Sequence, residues 1–421
     1  MATTSVEAKK YFSDASLDSI PQFRDLPPDI RLNVDVATRV LPFKTNAYIL
    51  NELIDWADIP GDPIFQMNFP QRGMILEEDF QDIRDLIVNE AANSTIESAA
   101  LRARTRLMPR NPGTTFSLPM LEGKPAYGIC HQYRETILAF PAPAQTCFAV
   151  CTYCYRWMMH TGSGRYFHYS DPGIPARYIM EHPEISDIQI TGGDPMIMSA
   201  RQLDQIVAPL LKVDSLDSIR FSTRALAFWP FRFTDDPDAD AVLRVFERIV
   251  ASGKHCAIMV HIIHPRELST PAAQEAIRRI RATGAVIRSQ APVLGHVNDS
   301  SETWSALWRE QVKLGIVPYY LYADSDSGPR EYFKIPISRS FKIFNSAWKN
   351  VSGLARTVRG PILYSADSKI LVDDIIDING KKYFLLKYLQ CSNSSKTGSS
   401  FLKDYDEFAL SVEQLSLVHS Q

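Results

Sequence analysis

Residues 136–154 read Thr136-Ile-Leu-Ala-Phe140-Pro-Ala-Pro-Ala-Gln-Thr-Cys147-Phe-Ala-Val-Cys151-Thr-Tyr-Cys154. A short apolar run, Ile137–Phe140, stops at prolines and passes into a loop that holds three cysteines within eight residues. An apolar run bounded by such breakers predicts a buried strand. Further runs of this kind follow at Ile185–Ile190, Ser218–Ser222, Ala257–Ile263, Ala285–Arg288 and Val317–Tyr322. Helical periodicity lies between the later ones, at Arg201–Leu211, Asp240–Ser252, Pro271–Ala282 and Ser301–Leu314, with Gly253 and Gly284 as C-caps. Strands alternating with helices predict an α/β fold with a parallel sheet. Six such units suit a partial (β/α)6 TIM-like barrel better than the eight of a closed one, and chemistry in barrels sits in the loops after the strands.

Around this core, residues 1–125 read as a helical N-terminal region, with helices expected at Asp29–Val40 and Glu77–Leu86. Its basic run Arg102, Arg104, Arg106 and Arg110 reads as a solvated face or an anion contact. Residues 126–350 hold the barrel. Residues 351–421 form a small α+β segment, with strands at Ile370–Ile378 and Lys382–Leu389 joined by Asn379-Gly380, a hairpin signal.

The whole chain has 421 residues, 45% hydrophobic and 22% charged, with a formal net charge of −3. No global basic field argues for nucleic acid, and no apolar run approaches the ~18 residues that span a bilayer. MATTSVEAKKYFSD lacks the apolar core of a signal peptide. The expectation is a cytoplasmic enzyme.

Six cysteines are too few for a disulfide framework, and three of them, Cys130, Cys256 and Cys391, are isolated. Cys147, Cys151 and Cys154 form CxxxCxxC. Three thiolates on one short loop can ligate three irons of a [4Fe–4S] cluster and leave the fourth open. Zinc fits less well, because a structural site wants four protein ligands. Tyr153 places an aromatic ring beside the cluster. Some forty residues on, Ile190-Thr191-Gly192-Gly193-Asp194-Pro195 ends a strand. Its glycines allow close approach of backbone to a ligand, and its carboxylate can accept from an ammonium.

These two motifs resemble those of radical S-adenosylmethionine (SAM) enzymes, and the Asp-Pro form resembles the lysine 2,3-aminomutase family. The likeness extends over about residues 20–370 through Leu41-Pro42-Phe43-Lys44, Leu53-Ile54-Asp55-Trp56, Ser222-Thr223-Arg224, His261-Ile-Ile-His264-Pro265, Gln290, Asn298-Asp299 and Pro318-Tyr319-Tyr320-Leu321-Tyr322. The resemblance implies SAM chelated to the unique iron, and reductive cleavage to methionine and a 5′-deoxyadenosyl radical that takes hydrogen from substrate. It also implies an electron donor such as flavodoxin or ferredoxin, a small amino-acid-like substrate and, commonly, a homo-oligomer.

Carried over residue by residue, the resemblance places Thr191, Gly192, Gly193, Asp194, Arg224, His261, His264 and Gln290 at SAM, and Arg156 at the substrate carboxylate. Asp324 or Asp326 matches an acid that holds a distal ammonium. Cys256 and Tyr322 are candidate hydrogen donors, by residue type alone.

The family also uses pyridoxal phosphate (PLP), and here the chain departs from it. The glycine run before the PLP lysine is absent from Gly360–Leu371, and Ser365 replaces an aspartate. Lys369 is the only candidate anchor, and a lysine in a surface hairpin explains it as well. Thr136 stands where the family has a phosphate-binding arginine, with Arg134 two residues away, and Pro141-Ala-Pro-Ala lengthens the approach to the cysteines. The expectation is a radical SAM enzyme without PLP, ending in dehydrogenation, decarboxylation, epimerisation, fragmentation or rearrangement. The alternatives are a PLP-dependent 2,3-aminomutase and a non-catalytic iron–sulfur protein.

Overall fold

A computed structural model describes residues 10–107, 118–161, 167–323, 329–365 and 367–416. The fold is mixed α/β, built on one sheet of eleven strands numbered here in chain order. These are β1 Ile129–Tyr133, β2 Thr136–Ala139, β3 Asp187–Ile190, β4 Ser218–Thr223, β5 His255–Val260, β6 Val286–Pro292, β7 Val317–Tyr322, β8 Arg359–Tyr364, β9 Ser368–Ile378, β10 Lys381–Cys391 and β11 Ser400–Asp404. They lie side by side in sequence order.

Strands β2 to β8 run parallel. One helix of eight or more residues fills each crossover between them: α1 Ile174–Glu181, α2 Ala200–Leu210, α3 Ala239–Ala251, α4 Pro271–Ala282, α5 Ser301–Lys313 and α6 Ile337–Lys349. Six βα units were expected and six occur, but β8 adds a seventh parallel strand that the sequence reading missed. Strands β9 to β11 extend the same sheet antiparallel, so the C-terminal strands are hydrogen-bonded to the parallel ones. Asn379 and Gly380 join β9 to β10 with φ of +54° and +83°, the left-handed pair such a turn requires.

Alternation along each strand sorts the side chains between two faces. On β4, Ile219 and Phe221 are buried in the main core, and Phe221 meets Phe246 of α3 at 5.5 Å; Ser218, Arg220 and Ser222 take the other face. Helix α3 buries Val242, Val245, Phe246 and Ile249, the i, i+3, i+4, i+7 stripe of an amphipathic helix. Gly253 and Gly284 follow α3 and α4 at φ of +84° and +85°, as expected of C-caps.

The sheet is rolled. Eight inter-strand steps separate β9 from β1, about 38 Å in a flat sheet at ~4.8 Å per step. Yet Lys369 Nζ on β9 lies 5.4 Å from the ring centre of Tyr133 on β1. The helices cover the convex face, and Ser218, Arg220 and Lys369 share the concave one. The N-terminal helices Pro28–Val40, Glu77–Val88 and Asn93–Leu107 pack together. Arg104 there donates to the Val40 and Arg39 carbonyls and Arg106 pairs with Glu78 and Asp79, which accounts for part of the basic run; Arg110 lies outside the described residues. Among the described residues no helix is long and apolar enough to cross a membrane.

Candidate active site

The cysteine loop follows β2 and is held from both sides. From the N-terminal region, the Lys44 carbonyl accepts from Val150 N at 2.8 Å, and Lys44 Nζ donates to the Cys147 carbonyl at 2.6 Å. Thr152 donates through its N–H to Met67 O and through its hydroxyl to Gln66 O. The Leu41–Lys44 motif therefore braces the cysteines. From the sheet, Gly193 N donates to Ala144 O at 2.7 Å and Asp194 N to Thr146 O at 2.8 Å.

This contact revises the reading of the two glycines. A Cβ at Gly192 would stand 2.5 Å from Ala144 O, and one at Gly193 2.4 Å from Thr146 O. What approaches them is the chain's own Pro141–Thr146 segment, including the Pro-Ala-Pro-Ala insertion. Asp194 is 3% exposed, and its carboxylate accepts from Met196 N, the Thr223 hydroxyl and Arg224 N, so it organises the turn as well as lying beside the cysteine loop. Burial lifts its pKa to about 6 against those hydrogen bonds. The neighbouring Thr191 is buried and its N–H donates to Ala139 O.

Burial raises the pKa of all three loop thiols; Asp194 and the other two cysteines add to the rise at Cys147, and Arg224 opposes it at Cys151. Thiolates ligate, so a bound metal centre supplies the charge balance these thiols otherwise lack. Among the described residues, the one set of three His, Cys, Asp or Glu ligand atoms within 4.8 Å of one another is His131, His182 and Glu184.

Arg224 lies next to the loop. One terminal nitrogen pairs with buried Glu267, while Nε and Nη1 are buried without partners. Its guanidinium lies 3.9 Å from the Phe228 ring centre and 5.6 Å from that of Tyr153, whose hydroxyl is also unpartnered. Buried donors left open in this way fit an incoming carboxylate, such as that of SAM.

The two histidines separate. His264 Nδ1 accepts from Arg266 N and caps a turn. His261 Nε2 meets Gln290 Nε2 at 3.0 Å, and Gln290 Oε1 accepts from the Tyr322 hydroxyl at 3.1 Å. Burial lowers the pKa of both histidines to about 4, so the His261 ring is neutral and accepts the amide proton. Tyr322 stacks on Tyr364 at 5.1 Å. Tyr364 and Tyr155 are 41% and 66% exposed, yet burial raises both phenol pKa values. Both rings face the concave side of the sheet's rim without being covered by it. Tyr364 was missed because β8 was not recognised; its alternation with Gly360 and Ile362 was the available signal.

Cys256 is corrected. It is 1% exposed among the helix-facing residues Ile258 and Val260, while His261 lies on the alternate face, so its thiol cannot reach the concave side. Its pKa rises to about 12 through burial. Arg156 is half-buried and donates to Gly192 O at 2.7 Å and Gln145 Oε1 at 3.2 Å, above the Phe140 ring. Among the described residues no acid lies within 4 Å of it. Asp324 and Asp326 lie outside the described residues.

Lys369 is corrected as well. It points into the concavity over the Tyr133, Tyr320 and Tyr364 rings. Burial, then Arg220, brings its pKa down to about 8. The other PLP determinants are poorer. Thr136 donates to Asp187, and Arg134 is exposed in the β1–β2 turn. An amine for PLP is present; a phosphate ligand at either of those positions is not.

A protein of Aquifex aeolicus provisionally named L-lysine 2,3-aminomutase is 28% identical over 80% of this chain and 78% of its own length. The L-lysine 2,3-aminomutase of Haemophilus influenzae is 29% identical over 58% of this chain and 71% of that one. The chain is similar in sequence to lysine 2,3-aminomutases. The L-lysine 2,3-aminomutase of Fusobacterium nucleatum is 26% identical over 56% of this chain, which spans about half, 52%, of that relative. No protein-family model matches. Among solved structures, a radical SAM methyltransferase from Sphaerobacter thermophilus overlaps with a TM-score of 0.34 at 11% identity, over 53% of this chain and 66% of that one. SuiB of Streptococcus suis bound to precursor peptide SuiA overlaps at 0.36 and 10%, over 73% and 66%. Overlaps of this size do not distinguish folds. The family implies a [4Fe–4S] cluster and SAM.

Proposed function

We propose that this enzyme takes hydrogen from a carbon of a small amino-acid-like substrate, held inside a partial (β/α)6 barrel, and does so without PLP. When bound, the cluster and SAM supply reductive cleavage to methionine and a 5′-deoxyadenosyl radical, with the electron drawn from a donor such as flavodoxin or ferredoxin. The chain's own residues do the rest. Cys147, Cys151 and Cys154 offer thiolates, braced by Lys44 and by the Gly192-Gly193 turn. Arg224 offers two buried N–H groups to a carboxylate. His261, Gln290 and Tyr322 form a neutral hydrogen-bonded wall beside them. Arg156, cationic and without an acid within 4 Å, suits the substrate carboxylate.

The observation that carries this reading is the pair of unpartnered Arg224 donors next to the cysteine loop. Its test is anaerobic reconstitution with iron and sulfide, reduction, and measurement of 5′-deoxyadenosine. An intact cluster that never cleaves SAM would return the chain to a non-catalytic iron–sulfur role.

One observation favours a second reading, a PLP-dependent 2,3-aminomutase: the inward Lys369 amine. Purified enzyme that turns over free of PLP excludes it; protein-bound PLP lost on Lys369→Ala establishes it.

A further inference from the structure

Away from the cysteines, the N-terminal ends of β2, β3 and β4 carry a second polar group on the concave face. Asp187 accepts from the Thr136 hydroxyl at 3.1 Å and from Arg220 Nε at 2.8 Å, and its second oxygen also meets Arg220 Nη2. Its charge is therefore committed to Arg220. Lys369 reaches the same region from β9. Three phenol rings, of Tyr133, Tyr320 and Tyr364, lie 5.4–6.0 Å from its nitrogen. Gln390 Oε1, at 3.0 Å, is its hydrogen-bond acceptor, and among the described residues no carboxylate lies within 4 Å of it. An ammonium has three donors, so two are left for something else. The Tyr133 hydroxyl, buried beside it, has no partner either.

Counting Arg220, Lys369 and Asp187, the region carries one net positive charge in a partly desolvated place. A buried cation lacking a counter-ion is unfavourable until an anion arrives. Perturbed charge in a cleft is also a mark of a binding site, and burial with Arg220 nearby does hold the Lys369 pKa down.

We infer that Lys369, with the Tyr133 hydroxyl, forms an anion subsite that takes an acidic group of the substrate, making that substrate a dicarboxylic amino acid. The inference rests on the proposed function for the word substrate, and it forecasts the opposite of a distal ammonium held by Asp324 or Asp326. A phosphate ester would offer the same chemistry.

The test is calorimetric titration of the reconstituted, cluster-bearing protein with L-glutamate, L-aspartate, L-lysine and inorganic phosphate, in wild type, Lys369→Met, Lys369→Arg and Tyr133→Phe. Saturable binding of glutamate or aspartate over lysine is expected. Lys369→Met should weaken it at least tenfold, Lys369→Arg should restore most of it, and Tyr133→Phe should weaken it severalfold. Phosphate bound in preference, with the same dependence on Lys369, keeps the anion subsite and reassigns its source to a phosphate ester. Lysine bound more tightly than glutamate, dicarboxylate binding indifferent to Lys369→Met, no anion binding at all, or PLP found attached to Lys369 would each overturn the inference. Deoxyadenosine formation in the same preparations judges the radical reading separately.

Discussion

Arg156 donates to the carbonyl of Gly192 at 2.7 Å, tying the residue two places beyond the last cysteine to the turn after β3. Gly193 N to Ala144 O and Asp194 N to Thr146 O tie the segment before the first cysteine to the same turn. The loop is thus clamped at both ends by one turn, and the carboxylate of Asp194 in turn fixes that turn to Thr223 and Arg224. The three cysteines and the open Arg224 donors share one rigid support, which is what a site held to within a fraction of an ångström needs.

Gly193→Ala should therefore damage cluster assembly rather than the fold at large. Its Cβ would meet Thr146 O at 2.4 Å, and backbone cannot yield cheaply. Forced overpacking costs about 1–3 kcal/mol. The expected result is a lower melting temperature with far-UV circular dichroism preserved, and iron content reduced at least twofold after reconstitution. Wild-type iron loading would sink the clamp argument.

Cysteine substitutions should divide sharply. Alanine at Cys147, Cys151 or Cys154 should each cut iron well below the about four atoms per chain of a full cluster and abolish deoxyadenosine formation. Cys256→Ala removes a small buried group from the helix-facing core, so it should cost about 1 kcal/mol in urea unfolding and leave iron and SAM cleavage within twofold. Loss of product with intact SAM cleavage in Cys256→Ala would restore it as a hydrogen donor.

Much of this was legible in the chain. Short apolar runs bounded by breakers located six of the parallel strands to within a few residues, and CxxxCxxC and Gly-Gly-Asp lie just after two of them, β2 and β3. What failed did so for physical reasons. Arg359–Tyr364 contains Gly-Pro and is short, so local pattern did not separate β8 from a turn. Which face a strand residue takes depends on register with its neighbours, and that decided against Cys256 and for Lys369. The internal role of the Asp194 carboxylate was missed because its three donors come from Met196, Thr223 and Arg224, a tertiary arrangement invisible in the motif itself.

Lys369 makes stability depend on pH in a definite sense. Its folded pKa, about 8, lies below the ordinary lysine value of 10.5. Below about pH 8 the amine is charged in both states and its burial destabilises the fold in full. As pH rises toward 10.5 the folded state has lost the proton while the unfolded state still binds it, so the penalty fades. At ~1.4 kcal/mol per pH decade the gap corresponds to roughly 3 kcal/mol, reduced to about 1–2 because the amine partly faces solvent. Lys369→Met should exceed wild type in urea stability by about that amount at pH 7 and converge with it near pH 10.5. A pH-independent difference would mean packing, and not charge, governs the site.

The two stacked phenols can be told apart. Tyr322 is buried and its hydroxyl donates to Gln290, whereas Tyr364 stands 41% exposed to the concavity. The second is the more accessible to a substrate radical, although the two hydroxyls are hydrogen-bonded to each other. Tyr322→Phe removes the donor to Gln290 Oε1, which should lower stability by about 1–2 kcal/mol with a modest, severalfold loss of turnover. Tyr364→Phe should leave stability nearly unchanged, keep SAM cleavage, and reduce product per deoxyadenosine about tenfold if the outcome returns a hydrogen atom from the protein. The measurement is product and deoxyadenosine quantified together in deuterated buffer, where a phenolic donor labels the product with solvent deuterium. An unchanged product ratio in Tyr364→Phe, with loss confined to Tyr322→Phe, would assign the donor to the buried ring instead.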